Sequence, residues 1–169
     1  ELGIKKGDIV TMAMATTPEM VYILYALNRI GACVNAIDPR LKQEEIKQKI
    51  NDSKSKMFIG LDMAVEKIYD IKDETTIKEI VSVSPFQSAS PIIKFLTKFK
   101  RNKRNDIKSW DEFILNGQKY NGLIDEKFTT NEPVIILYTG GTTGEPKGVT
   151  LTNENLNTIF DYFKLVKWK

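Results

Sequence analysis

A chain of 169 residues with 41% apolar residues, 28% charged residues and a net charge of +3 is long enough for one domain with a single buried core. The small net charge gives no reason to expect a polyanionic partner. The sequence contains no histidine and one cysteine, Cys33, which excludes histidine-based nucleophile pairs, histidine-ligated metals and intrachain disulfides. No apolar run reaches the roughly 18 residues of a membrane span. We therefore expect a cytoplasmic protein whose chemistry uses phosphate activation, lysine or carboxylates.

The first part of the sequence predicts a β-α-β unit. Residues 9–14 form a short apolar strand, and 17–19 (Thr-Pro-Glu) are typical of a helix start, with threonine at the N-cap and proline at the first helical position. The helix is expected to end at Gly31, before a second buried strand over 32–37. The two strands should be parallel, with a right-handed crossover.

Helices and strands continue to alternate after this unit. The pattern predicts a polar helix over 42–51, a strand over 56–60, a helix over 63–69 and a strand over 79–83. This alternation predicts an α/β fold with a doubly wound, mostly parallel sheet flanked by helices. We assign residues 7–83 to one β-α-β subdomain.

Residues 85–105 interrupt the alternation as a basic amphipathic insertion. Its apolar residues are interleaved with the lysines and arginines of Lys94–Arg104, and no acid falls between 91 and 105. Such a helix can lie on an anionic membrane surface, with about 1 kcal/mol for each basic residue near that surface. We favour the alternative, a solvated insertion packed on the domain by its apolar side. Nucleic-acid binding is the weakest interpretation, because the aromatic residues suit an apolar helix face better than base stacking.

The most informative stretch follows an apolar strand that begins at Pro133. Tyr138–Val149 is rich in glycine and threonine and contains Lys147. Glycine backbones can turn at positive φ and bring N–H groups close to an oxyanion, while threonine hydroxyls and a flexible lysine add donors and charge. The alternative is an ordinary turn between a strand and a helix with an exposed lysine. The spacing fits neither a Walker A loop nor a Rossmann glycine pattern.

The same twelve residues, Tyr-Thr-Gly-Gly-Thr-Thr-Gly-Glu-Pro-Lys-Gly-Val, resemble the signature loop of the adenylate-forming superfamily. The usual form of that loop is Tyr-Thr-Ser-Gly-Thr-Thr-Gly-x-Pro-Lys-Gly-Val. Gly140 replaces the common serine, and a Gly-Gly pair at this point is similar to the long-chain fatty acyl-CoA synthetases.

Three weaker resemblances lie outside the loop. Residues 151–156 are similar to the family's Leu-Thr-His-x-Asn-Leu, with Asn153 in place of histidine, a change that bears on the acyl pocket rather than on the type of reaction. Residues 109–114 resemble a short Trp-x-x-Phe helix of the long-chain synthetases, and 7–83 resemble their N-terminal subdomain.

The resemblance implies an AMP-binding acyl-CoA synthetase, that is, a fatty acid–CoA ligase that uses ATP, Mg²⁺ and CoA. A carboxylate attacks the α-phosphate of ATP and releases pyrophosphate, and the acyl-adenylate then passes its acyl group to CoA. No catalytic residue and no metal ligand is assigned within this chain. The implied phosphate-binding residues are Thr139, Gly140, Gly141, Thr142, Thr143, Gly144 and Lys147.

The resemblance further implies that residues 1–169 are a fragment of the N-terminal AMP-binding domain, since the family's adenine, ribose, hinge and catalytic-lysine segments lie downstream of the signature loop. We expect 133–169 to form a strand, the phosphate loop and a helix capped by Thr152, whose first turn faces the loop. We also expect the chain alone not to adenylate a carboxylic acid. Two alternatives stay open, a non-catalytic nucleotide- or phosphate-binding module and a membrane-surface module using Lys94–Arg104.

Overall fold

The computed structural model describes residues 2–90, 92–93, 104, 106–120, 122, 126–127, 129–140 and 146–165. The strands are β1 (Ile9–Ala13), β2 (Cys33–Ile37), β3 (Met57–Leu61), β4 (Glu79–Val83), β5 (Lys108–Ser109), β6 (Pro133–Tyr138) and β7 (Gly148–Thr152). The helices are α1 (Pro18–Arg29), α2 (Gln43–Ser53), α3 (Asp62–Tyr69), α4 (Trp110–Gly117) and α5 (Asn153–Leu165), with a 3-10 turn at Lys72–Glu74.

The strands form one sheet in the order β5-β4-β3-β1-β2-β6-β7. All neighbouring pairs from β5 to β6 are parallel, whereas β6 and β7 are antiparallel. Strand β1 lies between β2 and β3, so the chain crosses from one side of β1 to the other after β2. This topology confirms the predicted α/β fold with a mostly parallel sheet.

Helices pack on both faces of the sheet. On one face, Ile23 of α1 joins the buried cluster that contains Val10 of β1. On the other face, Ile46 of α2 and Ile68 of α3 join the cluster around Phe58 of β3, and these three side chains are fully buried. Covering both faces explains why the strands read as nearly continuous apolar runs, and it makes the sheet doubly wound as predicted.

Helix α1 begins and ends where the sequence predicts, but its threonine does not cap it with the side chain. The Thr17 carbonyl accepts the Met20 N–H at 3.1 Å, while Thr17 Oγ1 is buried and lacks a hydrogen-bond partner among the described residues. Pro18 removes one of the free N–H groups of the first turn. At the other end, Gly31 adopts φ +71°, a conformation that terminates a helix at little cost for glycine.

The prediction for residues 133–169 is wrong in one respect, because it omits strand β7. The register pairs Tyr138 with Gly148 and Pro133 with Thr152, so the chain returns along β6 before α5 begins. Helix α5 therefore starts beside the first residues of β6, where the Asn153 N–H donates to the Glu132 carbonyl at 3.3 Å. Five strand residues span roughly 16 Å, which places the helix N-terminus at the far end of β6 from the glycine loop.

The predicted cap of this last helix is present. Thr152 Oγ1 accepts the Asn155 N–H at 3.3 Å, and Asn155 Oδ1 accepts the Thr152 N–H at 2.9 Å. The two residues thus satisfy each other's backbone donors, as in a capping box. The N-terminus of this helix, however, lies at the far end of β6 from the loop, so the positive end of its dipole does not contribute to anion binding there.

Candidate phosphate-binding hairpin

The glycine loop connects β6 to β7 at the edge of the sheet where the parallel strands end. Strand β6 runs parallel to β2, with Val34 opposite Ile135 and Asn35 opposite Ile136. Its last residue, Tyr138, therefore lies at the carboxyl edge of the sheet. Open α/β sheets bind their ligands outside the carboxyl ends of the strands.

Thr139 and Lys147 close the base of this loop. The Thr139 N–H donates to the Lys147 carbonyl at 3.0 Å, and the Lys147 N–H donates to Thr139 Oγ1 at 3.2 Å. The first bond continues the β6–β7 ladder by one pair of residues, and the second uses the threonine side chain. The threonine hydroxyl thus holds the two ends of the loop together, a role that the sequence did not indicate.

The predicted site residues divide into two groups. Thr139, Gly140 and Lys147 are described and exposed, and a Cβ built on Gly140 meets no heavy atom within 4 Å. The lysine is therefore presented towards open space rather than packed in the interior. The other predicted site residues lie outside the described residues, namely Gly141, Thr142, Thr143 and Gly144.

Tyr138 anchors the hairpin to helix α2, and sequence reasoning missed this contact. The Lys49 ammonium lies 3.5 Å from the centroid of the Tyr138 ring. Burial raises the pKa of the Tyr138 hydroxyl and the nearby charge of Asp52 raises it further, while a hydrogen bond from the Asn35 side chain opposes both. The phenol is therefore neutral at pH 7. An asparagine inside an otherwise apolar strand is the one sequence signal that could have indicated a polar contact here.

A buried polar network fixes the position of α2 against the sheet behind Tyr138. Asn35 Nδ2 donates to Thr11 Oγ1 at 2.9 Å and to Ser53 Oγ at 3.1 Å, and Thr11 Oγ1 donates to Ser55 Oγ at 2.7 Å. Asn35 and Thr11 are both fully buried. Paired polar groups in a dry site restrict the arrangement of the elements that carry them. The network thus joins β1 and β2 to the C-terminal turn of α2.

Gly148 lets the tyrosine ring lie close to β7. A Cβ at Gly148 would lie 3.1 Å from Ile136 Cγ2 and 3.4 Å from Tyr138 Cε1. The first distance is shorter than ordinary carbon–carbon contact, so a side chain there would push against the strand it pairs with. The last glycine of the signature stretch is therefore explained by packing and not by contact with a phosphate.

The basic insertion is described only in part. The guanidinium carbon of Arg104 lies 3.8 Å from the Tyr69 ring centroid, and its Nη1 lies 3.5 Å from Asp70 Oδ1, so this arginine is held against the end of α3. At the other end, Ile92 and Ile93 are exposed by 73% and 43%. Positions 94–103 lie outside the described residues. The membrane-surface helix and the packed, solvated insertion therefore both stay predictions.

The one cysteine of the chain, Cys33, is buried. Burial raises the pKa of the Cys33 thiol to about 11, which keeps it protonated and unreactive at neutral pH. Among the described residues, acidic and cysteine side chains form no group of three or more that could hold a metal ion. Nor does any helix described combine the length and apolar character needed to cross a membrane.

A family model described as "AMP-binding enzyme" matches residues 1–168. The chain belongs to this family. Among its relatives, 3-hydroxypropionyl-coenzyme A synthetase of Metallosphaera sedula is 33% identical over 150 residues, covering 88% of this chain and 22% of that enzyme. Acetyl-coenzyme A synthetase of Psychrobacter cryohalolentis is 28% identical over 173 residues, covering 98% and 26%. This AMP-binding chain thus spans about a quarter of the length of these relatives.

Solved structures give the same assignment. A long-chain-fatty-acid-CoA ligase from Archaeoglobus fulgidus matches this AMP-binding chain with a TM-score of 0.70 at 25% identity, covering 92% of this chain and 27% of that one. An anthranilate CoA ligase in complex with anthranoyl-AMP matches with a TM-score of 0.73 at 19% identity, covering 90% and 26%, which shows the fold alone. The predicted family is confirmed, while these proteins are named for several different acids.

Proposed function

We propose that this chain supplies the pyrophosphate-holding hairpin of an ATP-dependent acid–thiol ligase. In that reaction a carboxylate oxygen bonds to the α-phosphorus of ATP, and the bond between the α-phosphorus and the oxygen that leads to the β-phosphate breaks. The thiolate of CoA then attacks the acyl carbon and releases AMP. The observation that carries the proposal is the exposed Lys147 paired with Thr139 at the carboxyl edge of a parallel sheet.

Lys147 has the chemistry that the departing pyrophosphate needs. Negative charge builds up on the leaving oxygens, and a fixed cation beside them lowers the barrier by offsetting that charge. The open space beside Gly140 lets a phosphate approach the backbone closely. Mg²⁺ is expected to share this charge, but no residue of the chain is assigned to it.

For the carboxylic acid, we propose a long-chain fatty acid. The Gly140–Gly141 pair is similar to long-chain synthetases, and the Archaeoglobus fulgidus ligase is among the similar structures. Other relatives are named for acetyl-CoA and 3-hydroxypropionyl-CoA, so acetate and 3-hydroxypropionate are the short acids to compare with a long-chain acid.

The test is carboxylate-dependent exchange of pyrophosphate into ATP, measured on the polypeptide of the complete reading frame with acetate, 3-hydroxypropionate and palmitate. Lys147→Ala should lower exchange by about 10²-fold, the typical loss when one group that stabilises a developing oxyanion is removed. The matched control is Lys78→Ala, because Lys78 is also exposed but precedes β4 at the opposite edge of the sheet.

The outcomes separate the alternatives. Exchange that requires palmitate and is lost only in Lys147→Ala supports the whole proposal. Exchange with a short acid alone refutes the long-chain part. Binding of ATP without exchange for any acid supports a non-catalytic nucleotide-binding module instead. The 169-residue chain by itself is expected to give no exchange.

A further inference from the structure

The base of the phosphate hairpin is held by a residue that is distant in sequence and does not face the loop. We propose that Lys49 is a positioning residue: its ammonium fixes the Tyr138 ring, and Tyr138 in turn fixes the strand end from which the hairpin projects. This inference rests on the proposed function for its catalytic consequence, but its structural part can be measured independently.

Lys49 is tied to the sheet at both ends of its length. Its carbonyl oxygen accepts a hydrogen bond from Asn35 Nδ2 at 3.2 Å, and its ammonium stands 3.5 Å from the Tyr138 ring centroid. The second distance lies well inside the roughly 6 Å range of cation–π attraction. Ile46 and Ile50 of the same helix are fully buried, so the helix that carries the lysine is itself fixed.

The Tyr138 ring needs such a contact because it is only half-buried. One side of the residue packs on the apolar cluster of the α2 face, and across the ladder its partner is Gly148, which offers no side chain. A cation over the exposed part of an aromatic ring adds attraction where apolar packing is incomplete. Asn35 holds the hydroxyl of this tyrosine, and Lys49 adds a second contact at the face of the ring.

The position of Tyr138 determines the position of the loop base. Thr139 follows it directly, and its backbone and its side chain both form hydrogen bonds with Lys147. Any tilt of the tyrosine would therefore displace the threonine and, through it, the backbone of the lysine proposed to meet the pyrophosphate. A displaced Lys147 would contact the phosphates of bound ATP less well, and this loss of binding raises the KM for ATP–Mg²⁺.

The test compares Lys49→Met, which keeps the length and loses the charge, with Lys49→Arg, which keeps a cation over the ring. Lys47→Met is the matched control, since Lys47 lies on the same helix but pairs with Glu44 and Glu74 instead. All variants are made in the protein of the complete reading frame. Hydrogen exchange of the Thr139 amide is followed without nucleotide, and the KM for ATP–Mg²⁺ is taken from the pyrophosphate-exchange assay.

Lys49→Met should speed exchange of the Thr139 amide about five-fold, the factor that corresponds to one ordinary cation–π contact. Its KM for ATP–Mg²⁺ should rise while the KM for the carboxylic acid stays constant. Lys49→Arg and Lys47→Met should behave as the wild type does. A general loss of stability would not raise the KM for ATP–Mg²⁺ while leaving the KM for the carboxylic acid unchanged.

Equal amide exchange in the wild type and Lys49→Met overturns the inference, whatever the activity. Faster amide exchange with an unchanged KM for ATP–Mg²⁺ overturns its catalytic part. If the wild type shows no pyrophosphate exchange at all, the proposed function fails, and the amide measurement still decides whether Lys49 fixes the hairpin.

Discussion

Replacing Gly60 with alanine should destabilise the fold by overpacking one face of the sheet. A Cβ at this position would lie 2.6 Å from Phe58 Cε1 and 3.2 Å from the Ala13 Cβ. Carbon atoms attract best at about 3.5–4.0 Å, so the phenylalanine ring would have to move by roughly 1 Å. Phe58 is fully buried, so its ring is enclosed by other protein atoms.

Overpacking of this kind costs about 1–3 kcal/mol of unfolding free energy. For a chain of this size, each kcal/mol lowers the melting temperature by roughly 2–4 °C. Thermal unfolding followed by circular dichroism should therefore place Gly60→Ala about 2–12 °C below the wild type. The matched control is Gly117→Ala at the end of α4, where an added Cβ meets no heavy atom within 4 Å.

A second substitution shows whether the phenylalanine ring is the cause. Phe58→Leu removes the atoms nearest to the new methyl group, so it should cost less stability in the Gly60→Ala background than in the wild type. This coupling should appear as a non-zero interaction energy in a double-mutant cycle. The reasoning is refuted if Gly60→Ala and the Gly117→Ala control have the same melting temperature. It is also refuted if the effects of Gly60→Ala and Phe58→Leu on stability are simply additive.

Two further predictions concern ionisable side chains. The Arg40 side chain and backbone donate hydrogen bonds to Asp38 and lower the pKa of its carboxyl from 3.8 to about 2. This pair therefore adds stability above pH 4 that is lost as the pH falls towards 2, and the gain is small because the pair is largely exposed. Carbon-detected NMR titration of Arg40→Gln should show the Asp38 pKa returning towards 3.8, and an unchanged pKa would contradict the assignment. For Cys33, burial predicts no reaction with a thiol reagent at pH 8 until the chain is unfolded in guanidinium, and rapid labelling of the native chain would count against its buried position.

The sequence was sufficient for the parallel part of the sheet because each of its elements carries a strong local signal. The buried runs at 9–13 and 33–37 are flanked by Pro18 and Gly31, which mark the helix between them. The narrow apolar stripe of α2, at Ile46 and Ile50, likewise corresponds to the two fully buried positions of that helix. Local periodicity reports burial directly wherever an element has one clearly apolar face.

Strand β7 carries no such signal, which is why it was not predicted. It lies at the edge of the sheet, its first three residues are exposed, and two of its five residues are threonine. Its pairing with β6 depends on a partner rather than on its own composition. Because this strand was omitted, the N-terminus of α5 was placed beside the glycine loop instead of at the far end of β6.

The site shows the same division between local and long-range information. The proposed phosphate-binding residues are nearly consecutive in one loop, so a short motif was enough to indicate the family. The contact between Lys49 and Tyr138 joins α2 to β6 across the fold, and neither residue type indicates the other.

The hydrogen bonds between Thr139 and Lys147 join the two ends of the signature loop. The chain therefore leaves the sheet and returns to it at neighbouring positions. The entropy needed to close such a loop rises only slowly with its length. Insertions or exchanges between these two residues should therefore leave the scaffold folded, so that the loop can diversify, or be grafted by a protein engineer, as a separate cassette.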